Sequence, residues 1–119
     1  MAYVKAINIS KGAEVAARVR VASSFLRRAV GLLGTPSLPV QEGLWISPCK
    51  TVHTFFMKYP IDIVVLDEKG VVIDQATLAP WRTSRWHKQA RSILELAAGV
   101  LARSRTAVGD QIEFKESTN

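Results

Sequence analysis

Two apolar runs separated by a four-residue turn constrain the fold of this chain more than any other feature of its sequence. Residues 61–66 are almost continuously apolar, and residues 71–78 hold the β-branched side chains of a second strand. Between them, Asp67-Glu68-Lys69-Gly70 has turn composition, and Gly70 can adopt a positive φ without a steric penalty. The sequence therefore predicts an antiparallel β-hairpin in the middle of the chain.

Shorter strand patterns are distributed over the rest of the chain. Residues 15–21 alternate, with valines and Ala17 on one face and Arg18 and Arg20 on the other, which is typical of a half-buried strand. The remaining predicted elements are strands at 3–9, 44–46, 92–96 and 111–114, a short helix at 25–33, and a turn or short helix at 97–105. This pattern predicts a mainly β fold, an antiparallel β-sandwich or distorted barrel with one or two short helices.

Length and composition set the broad class of the protein. The 119 residues show neither internal repeats nor a low-complexity linker, so we expect a single domain over residues 1–119 with a polar tail at 115–119. No apolar run approaches the roughly 20 residues that span a bilayer, and residues 1–7 lack the pattern of a signal peptide. We therefore expect a cytoplasmic protein without a transmembrane segment.

The net charge of +6 arises from 16 Lys and Arg against 10 Asp and Glu. It favours acidic partners such as nucleic acid, an anionic membrane or an acidic protein surface. A basic protein without such a partner would have the same composition, so the charge alone does not decide between these alternatives.

Residues 43–62 concentrate the only cysteine, one of two histidines and two of five prolines. Further short motifs precede and follow this segment. In order, the motifs are Gly31-Leu32-Leu33-Gly34, Gly43-Leu44-Trp45-Ile46, Pro48-Cys49, Val52-His53-Thr54-Phe55-Phe56-Met57, Pro60-Ile61-Asp62-Ile63-Val64-Val65-Leu66-Asp67, Pro80-Trp81-Arg82, Leu94-Glu95-Leu96-Ala97-Ala98-Gly99 and Gly109-Asp110. The ordered set, over about residues 16–114, resembles an uncharacterised prokaryotic family catalogued as domain of unknown function 192.

The resemblance implies a compact β-sandwich or barrel-like domain, and it implies no agreed catalytic residue. The Pro-Cys and His-Thr-Phe-Phe-Met motifs resemble one subgroup of the family, whose relatives tend to sit near pilus or protein-secretion genes. A link to a pilus or secretion system is what this subgroup implies for the chain.

Cys49, His53 and Met57 recur at intervals of four residues and carry donor atoms of the kind that hold copper or zinc. On a helix they would share a face, but the neighbouring proline and β-branched residues disfavour a helix. On an extended strand each step of four residues spans roughly 13 Å, so one ion could reach only one of them. The spacing therefore disfavours a metal site, and no cofactor is expected.

Cys49 and His53 could instead be the nucleophile and base of a small hydrolase, oriented by Asp62 or Glu95. The sequence around Cys49 lacks a nucleophile elbow and a Gly-rich turn that would supply an oxyanion hole. A single cysteine in apolar surroundings is more often a small buried side chain. A Cys/His-dependent or metal-dependent hydrolase stays as the alternative function.

Asp62 and Glu95 each interrupt an otherwise apolar strand. Because an unpaired buried carboxylate is costly, each needs a partner if it faces inward, and we expect His53, Arg82 or backbone amides. Two interpretations remain open at this point. The carboxylates belong either to a buried network that fixes strand register or to a functional cleft.

Residues 81–91 hold four of the 16 basic residues and two of the three tryptophans. Arginines between exposed aromatic rings suit an acidic protein surface or stacking on nucleic-acid bases. The alternative is that the tryptophans pack on the barrel while the charges are solvated.

The leading hypothesis is a non-enzymatic binding or accessory module for a protein or small ligand. Single-stranded nucleic acid is a further alternative, less favoured because no recognised binding motif is present. The candidate binding residues are Trp45, His53, Met57, Asp62, Trp81, Arg82, Trp86 and Glu95.

Overall fold

The computed structural model describes residues 3–23 and 37–117, and its framework is one seven-stranded β-sheet. The strands are β1 (Tyr3–Asn8), β2 (Ala13–Ala22), β3 (Glu42–Ile46), β4 (Ile61–Leu66), β5 (Val72–Leu78), β6 (Ser92–Ala97) and β7 (Ile112–Glu116), and the short helix α1 (Val100–Ser104) lies between β6 and β7. Each strand predicted from the pattern has its counterpart among them. The predicted helix at 25–33 lies outside the described residues.

The sheet has the strand order β5-β4-β6-β3-β2-β1-β7 and curls so that its two edge strands meet at one end. Val72 N donates to Asp110 O at 2.8 Å, and Ile112 N donates to Gly70 O at 2.9 Å. The result is a half-barrel, which confirms the predicted mainly β, barrel-like fold. Adjacent strands are antiparallel except β2 and β3, which pair in parallel. The strand pattern did not predict this parallel pair, because parallel pairing depends on a crossover connection rather than on side-chain alternation.

The two faces of the central strands β4 and β6 are both buried, in different clusters. Inside the curl, Val64 and Leu94 pack with apolar side chains from β1, β2, β5, β7 and α1. On the outer face, Ile63 and Ile93 pack with side chains from the connection 47–60. This connection therefore lies over the outside of the half-barrel, and it carries the candidate site there.

Two strand details differ from the sequence prediction. Val21, predicted to face inward, is 42% exposed because it lies near the end of β2, beyond the cover of the inner cluster. The polar tail predicted from Lys115 overlaps β7, since Lys115 pairs with Lys5 and Glu116 pairs with Val4. An edge strand can extend through charged residues because the backbone, not the side chain, makes the ladder hydrogen bonds.

No helix in the described part of the chain is long and apolar enough to cross a membrane.

Candidate functional site

Residues 51–54 and 82–84 form a short antiparallel pair outside the sheet. This pair and the turns next to it carry the exposed aromatic side chains described below. Thr54 N donates to Arg82 O at 2.8 Å, and His53 forms an isolated bridge with Thr83. Side chains alternate as in a regular strand, so Val52 and Thr54 are buried while His53 is half-buried and turned to the other side. Extended backbone therefore places the histidine at the edge of the surface.

Thr54 joins the two loops that carry the candidate surface. Its hydroxyl is fully buried, donates to Ala79 O at 2.6 Å and accepts from Arg82 N at 2.9 Å. Its carbonyl accepts from Met57 N at 3.1 Å and from Trp81 N at 3.0 Å. The bonds with Ala79, Trp81 and Arg82 fix the two loops relative to each other, and the bond from Met57 closes the turn that follows Thr54.

The loops held by Thr54 expose a row of aromatic rings, which we call the aromatic surface (His53, Phe55, Phe56 and Trp81). The ring centroids of His53 and Phe55 are 4.8 Å apart, those of Phe55 and Trp81 are 6.0 Å apart, and those of Phe56 and Trp81 are 4.6 Å apart. Phe55, Phe56 and Trp81 are 37%, 68% and 55% exposed. The rings contact one another, yet much of their apolar surface faces solvent.

Two residues of the aromatic surface have unusual backbone conformations. Phe56 has φ of 68° and Trp81 has φ of 66°, in the left-handed region that large side chains rarely adopt. Such a conformation costs about 1–3 kcal/mol per residue and persists only when the surrounding structure holds it. The hydrogen bonds of Thr54 supply that support, and backbone strain at exposed rings is typical of functional sites.

The polar groups of this region have defined roles. His53 Nδ1 accepts a hydrogen bond from Phe55 N at 3.2 Å, so in the neutral ring the proton is on Nε2. Arg82 is exposed, and its Nη1 donates to Trp81 O at 3.3 Å. The guanidinium is therefore held beside the tryptophan while its remaining N–H groups stay accessible.

Asp62 lies away from this surface, in the interior, at 1% exposure. Its Oδ1 accepts from Thr77 Oγ1 at 2.6 Å, and its Oδ2 accepts from Gly99 N and Leu101 N, both at 3.0 Å. The sequence predicted His53, Arg82 or backbone amides as partners of this carboxylate. Its hydrogen bonds come from backbone amides and the Thr77 hydroxyl, and His53 and Arg82 belong to the loop pair described above. The carboxylate therefore ties β4 to β5 and to the start of α1.

Of three other candidate residues, Glu95 and Met57 lie inside the molecule, and Trp45 is half-buried. Glu95 is fully buried in β6, opposite Leu44 of β3. Met57 is 3% exposed and belongs to the outer cluster. Trp45 is stacked on Phe114 of β7, with ring centroids 3.7 Å apart and an interplanar angle of 7°. The structure thus does not bring Trp45, Met57, Asp62 or Glu95 into the aromatic surface.

The candidate nucleophile and metal ligands are divided between core and surface. Cys49 is buried in the same cluster as Met57, and its thiol donates to Thr51 O at 3.2 Å. His53 belongs to the aromatic surface instead. Over residues 3–23 and 37–117, no group of three His, Cys, Asp or Glu side chains is arranged to hold a metal ion.

Trp86 contacts a different part of the molecule from Trp81. It is 62% exposed, and Lys50 Nζ lies 5.9 Å from the centroid of its ring. The two tryptophans of residues 81–91 therefore belong to separate local clusters.

Phe55, Phe56 and Thr54 are the site residues that sequence reasoning missed. Two adjacent phenylalanines cannot both face the core of an extended segment, because successive side chains point to opposite sides. The Phe55-Phe56 pair was therefore a sequence signal for at least one exposed ring. The buried hydroxyl of Thr54 has no comparable sequence signal, since threonine is common in any strand-like segment.

The geometry defines a half-barrel β protein with an exposed aromatic surface on its outer loops. The model of the DUF192 family, described as Uncharacterized ACR, matches residues 6–114, and the chain belongs to this family. The resemblance seen in the sequence motifs is thereby confirmed.

Relatives and solved structures agree with the assignment. The chain is 33% identical to a UPF0127 protein of Pyrococcus abyssi over 91% of this chain and 95% of that protein. It is 34% identical to a UPF0127 protein of Pyrococcus horikoshii over 91% and 96%. Its fold is similar to a protein of unknown function from Novosphingobium aromaticivorans, with TM-score 0.78 and 22% identity over 93% of this chain and 83% of that one.

A second similar structure is a putative transcription regulator from Sinorhizobium meliloti, with TM-score 0.76 and 20% identity over 96% of both chains. At this identity the similarity concerns the fold alone. Because the relatives are uncharacterised, the function has to be argued from the residues of this chain.

Proposed function

We propose that this protein is a non-enzymatic binding module that uses its aromatic surface to hold a partner protein. The observation that carries the proposal is the exposure of Phe55, Phe56 and Trp81, two of them at strained backbone positions. Large contiguous apolar exposure is uncommon on a monomeric protein and marks interaction sites. A strained backbone that presents apolar rings to solvent lowers stability, so it is more simply explained by binding than by folding.

The composition of the surface favours a protein partner. Tryptophan and arginine dominate the binding energy of protein interfaces, and Trp81 lies beside Arg82 here. Thr54 fixes the backbone of the loops that carry the rings, which reduces the ordering cost of binding. Within residues 3–23 and 37–117, no carboxylate forms a salt bridge with Arg82, and the chain carries a net charge of +6. We infer a partner segment that combines apolar side chains with Asp or Glu.

The burial of Cys49 supports a non-enzymatic role. Its side chain belongs to the outer apolar cluster, and its thiol donates to Thr51 O. A buried cysteine of this kind is more often a packing residue than a nucleophile.

A random-peptide display library tests the proposal across many candidate partner sequences at once. Peptides would be selected on the wild-type protein and their affinities measured by fluorescence anisotropy. We expect enriched peptides that contain aromatic or aliphatic residues next to Asp or Glu. Trp81→Ser should weaken their binding by about 30-fold, the effect of losing one interface anchor of about 2 kcal/mol.

Trp86→Ser is the matched control, because Trp86 is comparably exposed but contacts Lys50 instead. It should leave peptide affinity unchanged. Thr54→Val should weaken binding without removing any ring, and Thr54→Ser, which keeps the hydroxyl, should restore it. If no peptides were enriched, and if the wild type bound anionic vesicles but Trp81→Ser did not, the partner would be a membrane and not a protein.

A further inference from the structure

A cleft of about 570 Å³ lies on another part of the molecule, next to Cys49. Its walls come from three segments: residues 48–50, the β4–β5 turn at 67–69, and residues 88–91 before β6. This volume falls within the range of roughly 300–1,000 Å³ that is typical of small-molecule sites.

Backbone hydrogen bonds hold the three segments together. Cys49 N donates to Arg91 O at 2.9 Å, and Arg91 N donates to Leu66 O at 2.8 Å. In the turn, Asp67 Oδ1 accepts from Lys69 N and Val71 N, both at 2.9 Å. The cleft is therefore built on fixed backbone and does not need to form when a ligand arrives.

The charges that line the cleft are unbalanced. Four cationic residues and two carboxylate residues line the cleft, and one of the carboxylates, Asp67, accepts hydrogen bonds from the amides of its own turn. In the part of the chain that the structure describes, none of the four cations takes part in a salt bridge. The cations are Lys50, Lys69, Lys88 and Arg91.

Lys50 is the most firmly positioned of the four. Its Nζ donates to Ala90 O at 2.9 Å and to Lys88 O, and it lies 5.9 Å from the ring centroid of Trp86. An ammonium group has three N–H donors, so one remains after these two bonds. Because both acceptors are neutral carbonyls, Lys50 keeps its net positive charge at the cleft.

We propose that this cleft binds a small phosphate-bearing molecule. Several lysines and one arginine that converge from three segments suit a group with more than one negative charge, and lysine is a regular phosphate ligand. The neutral wall formed by Pro48, Cys49 and Ala90 would contact the rest of the ligand. This site is separate from the aromatic surface, so the two proposals stand or fall independently.

Isothermal titration with sodium pyrophosphate tests the cleft directly. Wild-type protein should bind, and Lys50→Gln/Arg91→Gln should bind at least about tenfold more weakly, since a hydrogen bond to a charged group contributes about 1.5–3 kcal/mol. The matched control is Lys5→Gln/Lys115→Gln, which removes the same charge from the β1–β7 pair outside the cleft. Equal weakening in both double variants would mean general charge attraction and would overturn the proposal, as would no binding by the wild type.

The single cysteine gives a second, local readout. Cys49 lines the cleft but is only 9% exposed, so it should react slowly with a thiol reagent, and pyrophosphate should slow this reaction further in the wild type but not in Lys50→Gln/Arg91→Gln. An unchanged labelling rate at saturating pyrophosphate would place the anion elsewhere and contradict the proposal.

Further ligands distinguish the source of the phosphate. Tighter binding of ATP than of pyrophosphate would support the site and indicate a nucleotide, and tighter binding of inositol trisphosphate would support it and indicate a lipid headgroup. Citrate should bind much more weakly than either. Citrate binding as tight as that of pyrophosphate, with the same loss in Lys50→Gln/Arg91→Gln, would show that the cleft does not select phosphate.

Discussion

The site around Asp62 and the aromatic surface both reverse the usual distribution of polar and apolar groups. Asp62 places a carboxylate in the core, at 1% exposure, while Phe56 and Trp81 expose most of their apolar rings, at 68% and 55%. Each arrangement costs free energy on its own. The difference between them lies in whether the protein itself compensates that cost.

The carboxylate of Asp62 is compensated within the chain. Its two oxygens accept three hydrogen bonds that join β4, β5 and the start of α1. Phe56 and Trp81 contact each other, but much of their surface still faces solvent, so packing within the protein does not compensate their exposure. A buried carboxyl group with internal partners indicates an architectural role, whereas exposed rings on a strained backbone indicate an external partner. Variants in both regions test this contrast.

The largest expected effect is the loss of stability in Asp62→Ala. This change leaves Gly99 N, Leu101 N and the Thr77 hydroxyl without their acceptor inside the protein. Each of these three partly buried hydrogen bonds contributes about 0.5–1.5 kcal/mol, so the free energy of unfolding should fall by about 1.5–4.5 kcal/mol. Urea denaturation measures this fall. Glu68→Ala, which removes an exposed carboxylate, should change stability by less than about 0.5 kcal/mol.

A loss below about 1 kcal/mol in Asp62→Ala would contradict the architectural role, because such a value is what a solvated hydrogen bond contributes. The selected peptides should still bind Asp62→Ala under conditions where it is folded. Loss of peptide affinity in the folded variant would show that Asp62 also supports the aromatic surface, so that its role would not be purely architectural.

A second buried polar cluster should contribute stability that depends on pH. Asp110 accepts from Asn8 Nδ2 at 2.9 Å and from Lys11 Nζ at 2.7 Å. The hydrogen bond from Asn8, followed by that from Lys11, lowers the pKa of Asp110 from the ordinary 3.8 to about 2. Because folding lowers this pKa, the ionised carboxylate stabilises the folded protein at pH values above the pKa of Asp110 in the unfolded state. This contribution is lost as the pH falls from about 4 to about 2.

Thermal unfolding of wild type and Asp110→Asn at several pH values tests this dependence. Asp110→Asn should melt at a lower temperature than the wild type at pH 7, and the difference should narrow below about pH 4 and nearly vanish by about pH 2. A difference that stays constant over this range would mean that the carboxylate charge does not contribute. The aromatic surface should remain functional in either case, because the carboxylate of Asp110 is bound by Asn8, Lys11 and Ala107.

The sequence predicted the sheet better than the site, for physical reasons. Strands such as Ile61–Leu66 are identified by local apolar patterns and turn residues, and these are properties of neighbouring positions. The partners of Asp62 lie 15 to 39 positions away along the chain, so only their class, backbone amides, was predictable. The positive φ of Phe56 was not predictable at all, since phenylalanine has no preference for that conformation.

Phe56→Gly should have the smallest effect on stability and a large effect on binding. Glycine relieves the strained φ of 68°, a gain of about 1 kcal/mol or more. This gain is offset by the lost ring contact with Trp81, worth about 0.5–1.5 kcal/mol, and by the greater flexibility of glycine in the unfolded chain, worth about 0.4–1 kcal/mol. The free energy of unfolding should therefore change by less than about 1 kcal/mol.

Phe56→Ala is the informative companion because it removes the ring but keeps a Cβ at positive φ. Both variants should lose affinity for the selected peptides, and Phe56→Ala should be less stable than Phe56→Gly by about 1 kcal/mol in urea denaturation. Equal stability of the two would mean that the backbone at residue 56 is unstrained in solution. The rings would then be exposed without any cost in the backbone, and the contrast with Asp62 would rest on solvent exposure alone.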